Sequence, residues 1–350
     1  MKLFACGACG QMLHFENSSC LACGAPLGFR PDRLELATLD PLPAGGFRPI
    51  GGGGDDAWVF CANAASGGCN WLVPLGGDAY CPACGLNRTI PDLDIAGNAE
   101  RWRAIETAKR RLIYALRRFG LPMTSQHEDA GQGLAFDFLA DAGAEPVMTG
   151  HADGLVTINI AEADSAERER RRLELGEPYR TLLGHLRHEV GHYYWDLLVR
   201  DGGRLEAARA VFGDERADYA EALERHYATG PQPDWQSGFV SAYATMHPWE
   251  DFAETWTHYF HMVDTLDTAA SFGLALDPQV TARDADSAGI AFDPYRAPDC
   301  RSLVDAWLPL TVALNSLNRS MGQPDLYPFV LSAPAIAKLG FVHDLVQPPA

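Results

Sequence analysis

The chain has 350 residues, 47% of them hydrophobic and 21% charged, enough apolar material to bury a sizeable core in a small region plus one larger domain. A formal net charge of -18 argues against a general nucleic-acid binder, and no apolar stretch approaches the length that spans a membrane. The start, MKLFACGACG, has no apolar run of secretory length, so the expected setting is cytoplasmic, where thiols stay reduced.

Eight of the nine cysteines fall in the first 84 residues. Cys6-x2-Cys9 and Cys20-x2-Cys23 are two knuckles, each followed by the glycine that a tight metal-binding turn requires, Gly10 and Gly24. A second set, Cys61, Cys69 and Cys81-Pro82-Ala83-Cys84-Gly85, is looser, with seven residues between its first two cysteines. Reduced thiols in pairs favour zinc over a disulfide framework, which gives two structural zinc sites, Cys6/Cys9/Cys20/Cys23 and Cys61/Cys69/Cys81/Cys84. Spacing alone also permits a crossed pairing of the first knuckle with the last, and iron in place of zinc. Cys300 stands alone and reads as packing.

The Pro/Gly-rich stretch from Pro41 to Gly54 separates the two cysteine sets, with no helix across its four consecutive glycines. From Glu100 to Arg118 the sequence predicts a basic amphipathic helix that ends near Gly120-Leu121-Pro122 and joins the ribbon region to the rest. Its charges read as a solvated face rather than a nucleic-acid surface. Gly154 to Ile160 alternates apolar and polar residues, the mark of a half-buried strand. A charged helix begins near Ser165.

The run LLGHLRHEVGHYYWDLLV, residues 182 to 199, is the most informative segment. Leu182, Leu186, Val190, Tyr193 and Leu197 form one stripe of a helix, while His185, His188, His192 and Asp196 line another. His188, Glu189 and His192 make an HExxH pattern: two histidines one turn apart reach one metal ion, with a glutamate beside them to act on a water. In an apolar helix such groups are costly to bury without a partner such as a metal. Helical patterns follow around Leu205 to Tyr227. From Pro248, which suits a first helical turn, Phe252, Trp256, Tyr259 and Val263 repeat as a core face opposite Glu250, Glu254, His258 and His261. Glu250 and Glu254 suit a pair in which one carboxylate binds zinc and the other holds a ligand histidine. His258 and His261 are rivals for the third ligand. From about Asp293, further helices contain Leu303, Trp307, Leu314 and Ile336.

At these residues the chain resembles the family of zinc-binding metallopeptidases with an N-terminal zinc ribbon, along nearly its whole length. The helix pair is also similar to the gluzincin arrangement of the anthrax lethal factor catalytic domain, whose E-F-F-A-E stretch corresponds here to Glu250-Asp251-Phe252-Ala253-Glu254. The resemblance implies Glu250 as third zinc ligand, Glu254 as the partner behind a ligand, and Tyr243, seven residues before Glu250, as a phenol that stabilises the oxyanion. It also implies an edge strand, Gly154 to Ile160, to which an extended substrate could add. A metzincin reading fails, because Tyr193-Tyr194-Trp195-Asp196 follows His192 without the glycine and third histidine of that class. A DNA-repair protease pairing HExxH with a ribbon is expected to carry its ribbon after the catalytic helix, the reverse of the order here.

The expectation is therefore an α+β protein: a zinc-ribbon region at 1–95, a connecting basic helix at 96–122, and a mainly helical gluzincin-like domain with a small sheet at 123–350. One catalytic and two structural Zn2+ ions would serve hydrolysis of a peptide or protein substrate, with Glu189 as general base. Alternative readings are a non-catalytic zinc-dependent binding or regulatory protein, and a hydrolase of a non-peptide amide. No membrane partner is expected.

Overall fold

The structure is a computed structural model and describes residues 2–51, 57–141, 147–174, 177–279 and 288–347. The chain forms two compact units, 1–167 and 168–350. The fold is α+β, with strands concentrated in the first unit and helices in the second.

In the first unit, β1 (Phe4–Ala5) and β2 (Met12–Leu13) form a short antiparallel pair around the first knuckle. Next, β3 (Leu27–Arg30), β4 (Glu35–Pro41), β5 (Phe47–Pro49), β6 (Trp58–Phe60) and β7 (Leu72–Pro74) pair in chain order as an antiparallel sheet. The stretch expected to separate the cysteine sets thus contributes β5, while its Gly52 to Gly54 portion lies outside the described residues. Buried Leu39, Trp58 and Leu72 form the core of this sheet. At Gly28 a Cβ would stand 2.5 Å from Leu72, so only glycine allows that packing.

After β8 (Asn87–Thr89) comes α1 (Asn98–Phe119), closed by Gly120 in the left-handed region that favours glycine. Trp102, Ile105, Leu112, Ile113 and Leu116 on α1 are fully buried, so this helix packs as a core element of the first unit. The division between the two compact units falls after α1, at 167/168. Several of the helix's cations are held by partners within the same unit, Lys109 in the interior and Arg103 and Arg111 at the surface. Lys109 pairs with Glu106 at 2.9 Å, both fully buried, Arg103 Nε donates to the Ser66 carbonyl at 2.7 Å, and Arg111 pairs with Glu16 at 2.6 Å. β9 (Ala135–Leu139), β10 (Gly150–Ala152) and β11 (Leu155–Asn159) complete a second sheet in the order β10-β11-β9-β8.

One expectation is corrected here. β11 is an interior strand, antiparallel to β10 on one side and parallel to β9 on the other, so its backbone groups are already paired and no substrate strand can add to it. Alternation revealed a half-buried strand but carried no information about its neighbours, which are set by long-range pairing.

The charged α2 (Ser165–Glu174) contains the division between units. In the second unit, α3 (Leu182–Tyr194) starts at Thr181, whose hydroxyl accepts from Gly184 N at 3.0 Å, and continues as a π-helical turn over Trp195–Arg200. Then follow α4 (Leu205–Phe212), α5 (Tyr219–Thr229), α6 (Pro248–Ser271), a pair of two-residue strands, β12 (Ala275–Leu276) with β13 (Ala288–Gly289), α7 (Cys300–Ser320) and α8 (Ala333–Val346). The central helix is α6: Phe252, Trp256, Tyr259 and Val263 have no exposed surface, and burial of each large side chain stabilises the fold by roughly 1.5–3 kcal/mol. Tyr194 of α3 stacks on Trp256 at 4.9 Å. Gly191 lets the two helices approach, because a Cβ there would meet Ala253 Cα and Trp256 at 3.2 Å. Among the described residues no helix is long and apolar enough to cross a membrane.

Candidate metal centre

The close approach of α3 and α6 brings three side chains together. His188 and His192, one turn apart on α3, turn their Nε2 atoms to within 3.2 Å of each other. Glu250 enters from the first turn of α6, where the helix begins with His247 accepting from Trp249 N at 3.1 Å and Pro248 in its first turn. The positive end of the helix dipole favours a carboxylate at that position. Its Oε2 lies 2.8 Å from His188 Nε2 and 3.5 Å from His192 Nε2. One ligand atom from each residue lies within 4.8 Å of the others, and the three side chains are buried.

The donor set fits a zinc ion. Four-coordinate zinc with bonds of about 2.0–2.1 Å holds its ligand atoms about 3.3 Å apart, and separations of 2.8, 3.2 and 3.5 Å bracket that value. Glu250 Oε2 is buried and makes no hydrogen bond of acceptable geometry, the state of an oxygen whose partner is a cation.

Outer contacts fix the ring and the carboxylate. His188 Nδ1 meets Glu254 Oε1 at 2.7 Å, and Glu254 Oε2 accepts from Ser241 Oγ at 2.5 Å. With its proton on Nδ1, the imidazole turns the Nε2 lone pair to the site. Glu250 Oε1 accepts from Tyr219 OH at 2.8 Å. The His192 ring stacks on Trp249 with centroids 3.6 Å apart. Burial alone would lower the His188 imidazolium, yet the carboxylates of Glu250 and Glu254 hold it well above the ordinary histidine value. Burial would raise Glu250, but the His192 and His188 rings hold it well below the carboxylate range.

Glu189 stands beside the histidine pair, 5% exposed, with His185 Nε2 at 3.2 Å from Oε1. Its burial would raise the carboxyl, and the His185 contact outweighs that and keeps it ionised below its usual value. The Tyr243 ring sits 6.0 Å from the His188 ring, its phenol pushed well up by burial and the Glu250 charge. The rivals lie elsewhere. His258 Nδ1 bonds the Tyr327 hydroxyl at 2.6 Å and is pulled down to about 4 by burial, while His261 Nδ1 meets the Arg187 guanidinium, which also holds Asp264. Neither histidine joins the group of three.

Sequence reasoning missed Tyr219, Ser241 and Trp249. Trp249 had a usable signal in its place next to Glu250 at the helix start. Tyr219 and Ser241 had none, since α5 and the turn before α6 reach the site only through packing.

The cysteines form two clusters in the first unit. Cys6, Cys9, Cys20 and Cys23 make one and Cys61, Cys69, Cys81 and Cys84 the other, so crossed pairing is excluded. Sulfur separations of 3.7 Å for Cys6 to Cys23, Cys9 to Cys20 and Cys69 to Cys81 match the edge of about 3.8 Å in a tetrahedron with metal–sulfur bonds of about 2.3 Å, and none is a disulfide. The knuckle turns close with Gly10 N and Gly24 N donating to the Cys6 and Cys20 carbonyls at 2.8 Å, both glycines at positive φ. Cys300 is buried at the start of α7, with its thiol pushed up to about 12 by burial.

Three groups that could hold a metal ion, one His/Glu and two four-cysteine, fit a zinc-binding protein of mixed ribbon and helical architecture. Residues 98–345 match the family model described as "Putative zinc-binding metallo-peptidase" and residues 3–95 match a zinc-ribbon domain; the chain belongs to that metallo-peptidase family. It is similar to uncharacterized proteins of Mycobacterium bovis and of two Mycobacterium tuberculosis strains, each 46% identical over 99% of this chain and 96% of the relative. No solved structure matches the chain.

Proposed function

We propose that this protein is a gluzincin-like zinc peptidase with one catalytic and two structural zinc ions. The observation that carries this reading is the convergence of His188, His192 and Glu250, with Glu189 alongside on the same helix. Zinc held by His188, His192 and Glu250 would polarise the scissile carbonyl and lower the pKa of a water towards about 7. Glu189 accepts the proton of the attacking water and passes it to the leaving amine. Glu254 holds His188 in orientation, and Tyr243, whose ring lies 6.0 Å from the His188 ring, would donate to the developing oxyanion. The two four-cysteine sites hold the N-terminal strands together, where a core of few residues relies on metal. The substrate is a peptide or protein, and the reduced cysteines suit a cytoplasmic setting.

Burial favours a second reading. With His188 at 9%, His192 at 3% and Glu250 at 2% exposure, the site also suits a zinc-dependent binding or regulatory protein without turnover. A non-peptide amide would use the same chemistry as a peptide. The test is a peptide library digested by wild type and Glu189→Gln, with metal counted in both. Cleavage that vanishes in the variant while metal is retained supports the peptidase; cleavage equal in both sinks it.

A further inference from the structure

Tyr219, the first residue of α5, reaches the metal group through its phenol. Tyr219 OH donates to Glu250 Oε1 at 2.8 Å. A phenol has one proton. The Tyr219 proton is therefore committed to Glu250. The Tyr219 ring is held from two sides, 5.4 Å from the His247 ring and 5.9 Å from the Trp249 ring. Trp249 stacks in turn on His192, so the residue that orients Glu250 also leans on the wall of a ligand histidine. Asp218 caps α5 at the residue before, its carboxylate accepting from Glu221 N at 2.9 Å, and so fixes where Tyr219 begins its helix.

A carboxylate has two equivalent oxygens, and rotation about its last bond exchanges them. In this site they are made unequal: Oε1 is taken by the phenol, and Oε2 faces both Nε2 atoms without a hydrogen bond of its own. From this we infer that Tyr219 is a positioning residue that selects Oε2 as the one ligand oxygen of Glu250. This rests on the reading of His188, His192 and Glu250 as a metal group. Without the phenol, Oε1 is free to turn toward the ion or away from the site, so the pocket loses affinity and its fixed coordination number. Outer partners of metal ligands commonly govern about 10–100-fold in affinity, and a phenol on a carboxylate belongs at the lower end.

The test compares full-length wild type, Tyr219→Phe, Tyr219→Leu and His188→Ala. Each is treated with a mild chelator that leaves the cysteine sites loaded and then titrated with Co2+, with the His188→Ala spectrum subtracted. Tyr219→Phe keeps the ring contacts with His247 and Trp249 and removes only the hydroxyl. It is expected to bind Co2+ about ten-fold more weakly, with a weaker visible band as the coordination number rises. Tyr219→Leu also lacks the donor, is expected to weaken binding at least as much, and carries the test if Tyr219→Phe does not fold. Wild-type affinity and band shape in Tyr219→Phe would overturn the inference while leaving the metal group intact. If His188→Ala binds the same number of Co2+ ions as wild type, the metal-group reading itself fails.

Discussion

Replacing Glu254 separates the charge of the group behind His188 from its shape. In wild type the carboxylate accepts from His188 at 2.7 Å through one oxygen and from Ser241 at 2.5 Å through the other. Glu254→Gln preserves both positions: the amide oxygen still accepts from Nδ1–H, and the amide nitrogen can donate to the Ser241 oxygen. What is lost is charge assistance, which separates a bond of about 1.5–3 kcal/mol from one of about 1 kcal/mol. A loss of about 1 kcal/mol is roughly fivefold in metal affinity at this site. Glu254→Ala removes the acceptor altogether, leaves Ser241 and His188 without it and frees the ring to rotate, so about 10–100-fold is expected. The assay is competition for Zn2+ with a chromophoric chelator on protein whose cysteine sites remain filled. Losses ordered wild type, Gln, Ala support the orienting role. If Ala binds within twofold of wild type while His188→Ala abolishes the site, Glu254 does not hold the ligand and the reasoning is refuted.

Three other outcomes are expected. Glu189→Gln should retain its metal and lose peptide turnover by a factor of about 10²–10⁴, the usual contribution of a general base, measured as kcat on a peptide cleaved by wild type. Metal content by plasma mass spectrometry should fall from three ions per chain to two in His188→Ala, and also to two in Cys81→Ser, the latter with lost thermal stability of the first unit. An unchanged count in either variant contradicts the corresponding site. Metal uptake should release protons. The folded-state value of His188 lies above its ordinary 6.5, so near neutral pH the ion must displace a proton from the ring, and Glu250, held below its ordinary value, is already ionised. Affinity therefore rises with pH through the neutral range until His188 is deprotonated without metal. Calorimetric titration in buffers of different ionisation enthalpy checks this, and zero proton release at pH 6.5 would contradict it.

What the chain alone determined was whatever depends on neighbours in sequence. Helical spacing put His188 and His192 on one face of α3, a proline set the start of α6, and the apolar repeat from Phe252 to Val263 marked its buried side. Knuckle spacing with following glycines marked the thiol groups for the same local reason. The tertiary structure decided what depends on elements distant in the chain. It grouped Glu250, and neither His258 nor His261, with the histidine pair, because α6, crossing α3 at Gly191, brings its first two turns there, Glu250 and then Glu254. It kept the cysteine clusters uncrossed, put α1 into the core of the first unit, and buried β11 between two strands. It also delivered Tyr219 from α5 and Ser241 from the turn before α6, side chains with no periodic relation to the residues they touch. Periodicity reports which face of one element is buried. Which element covers that face, and which polar group it brings, follows from packing over long separations in the chain.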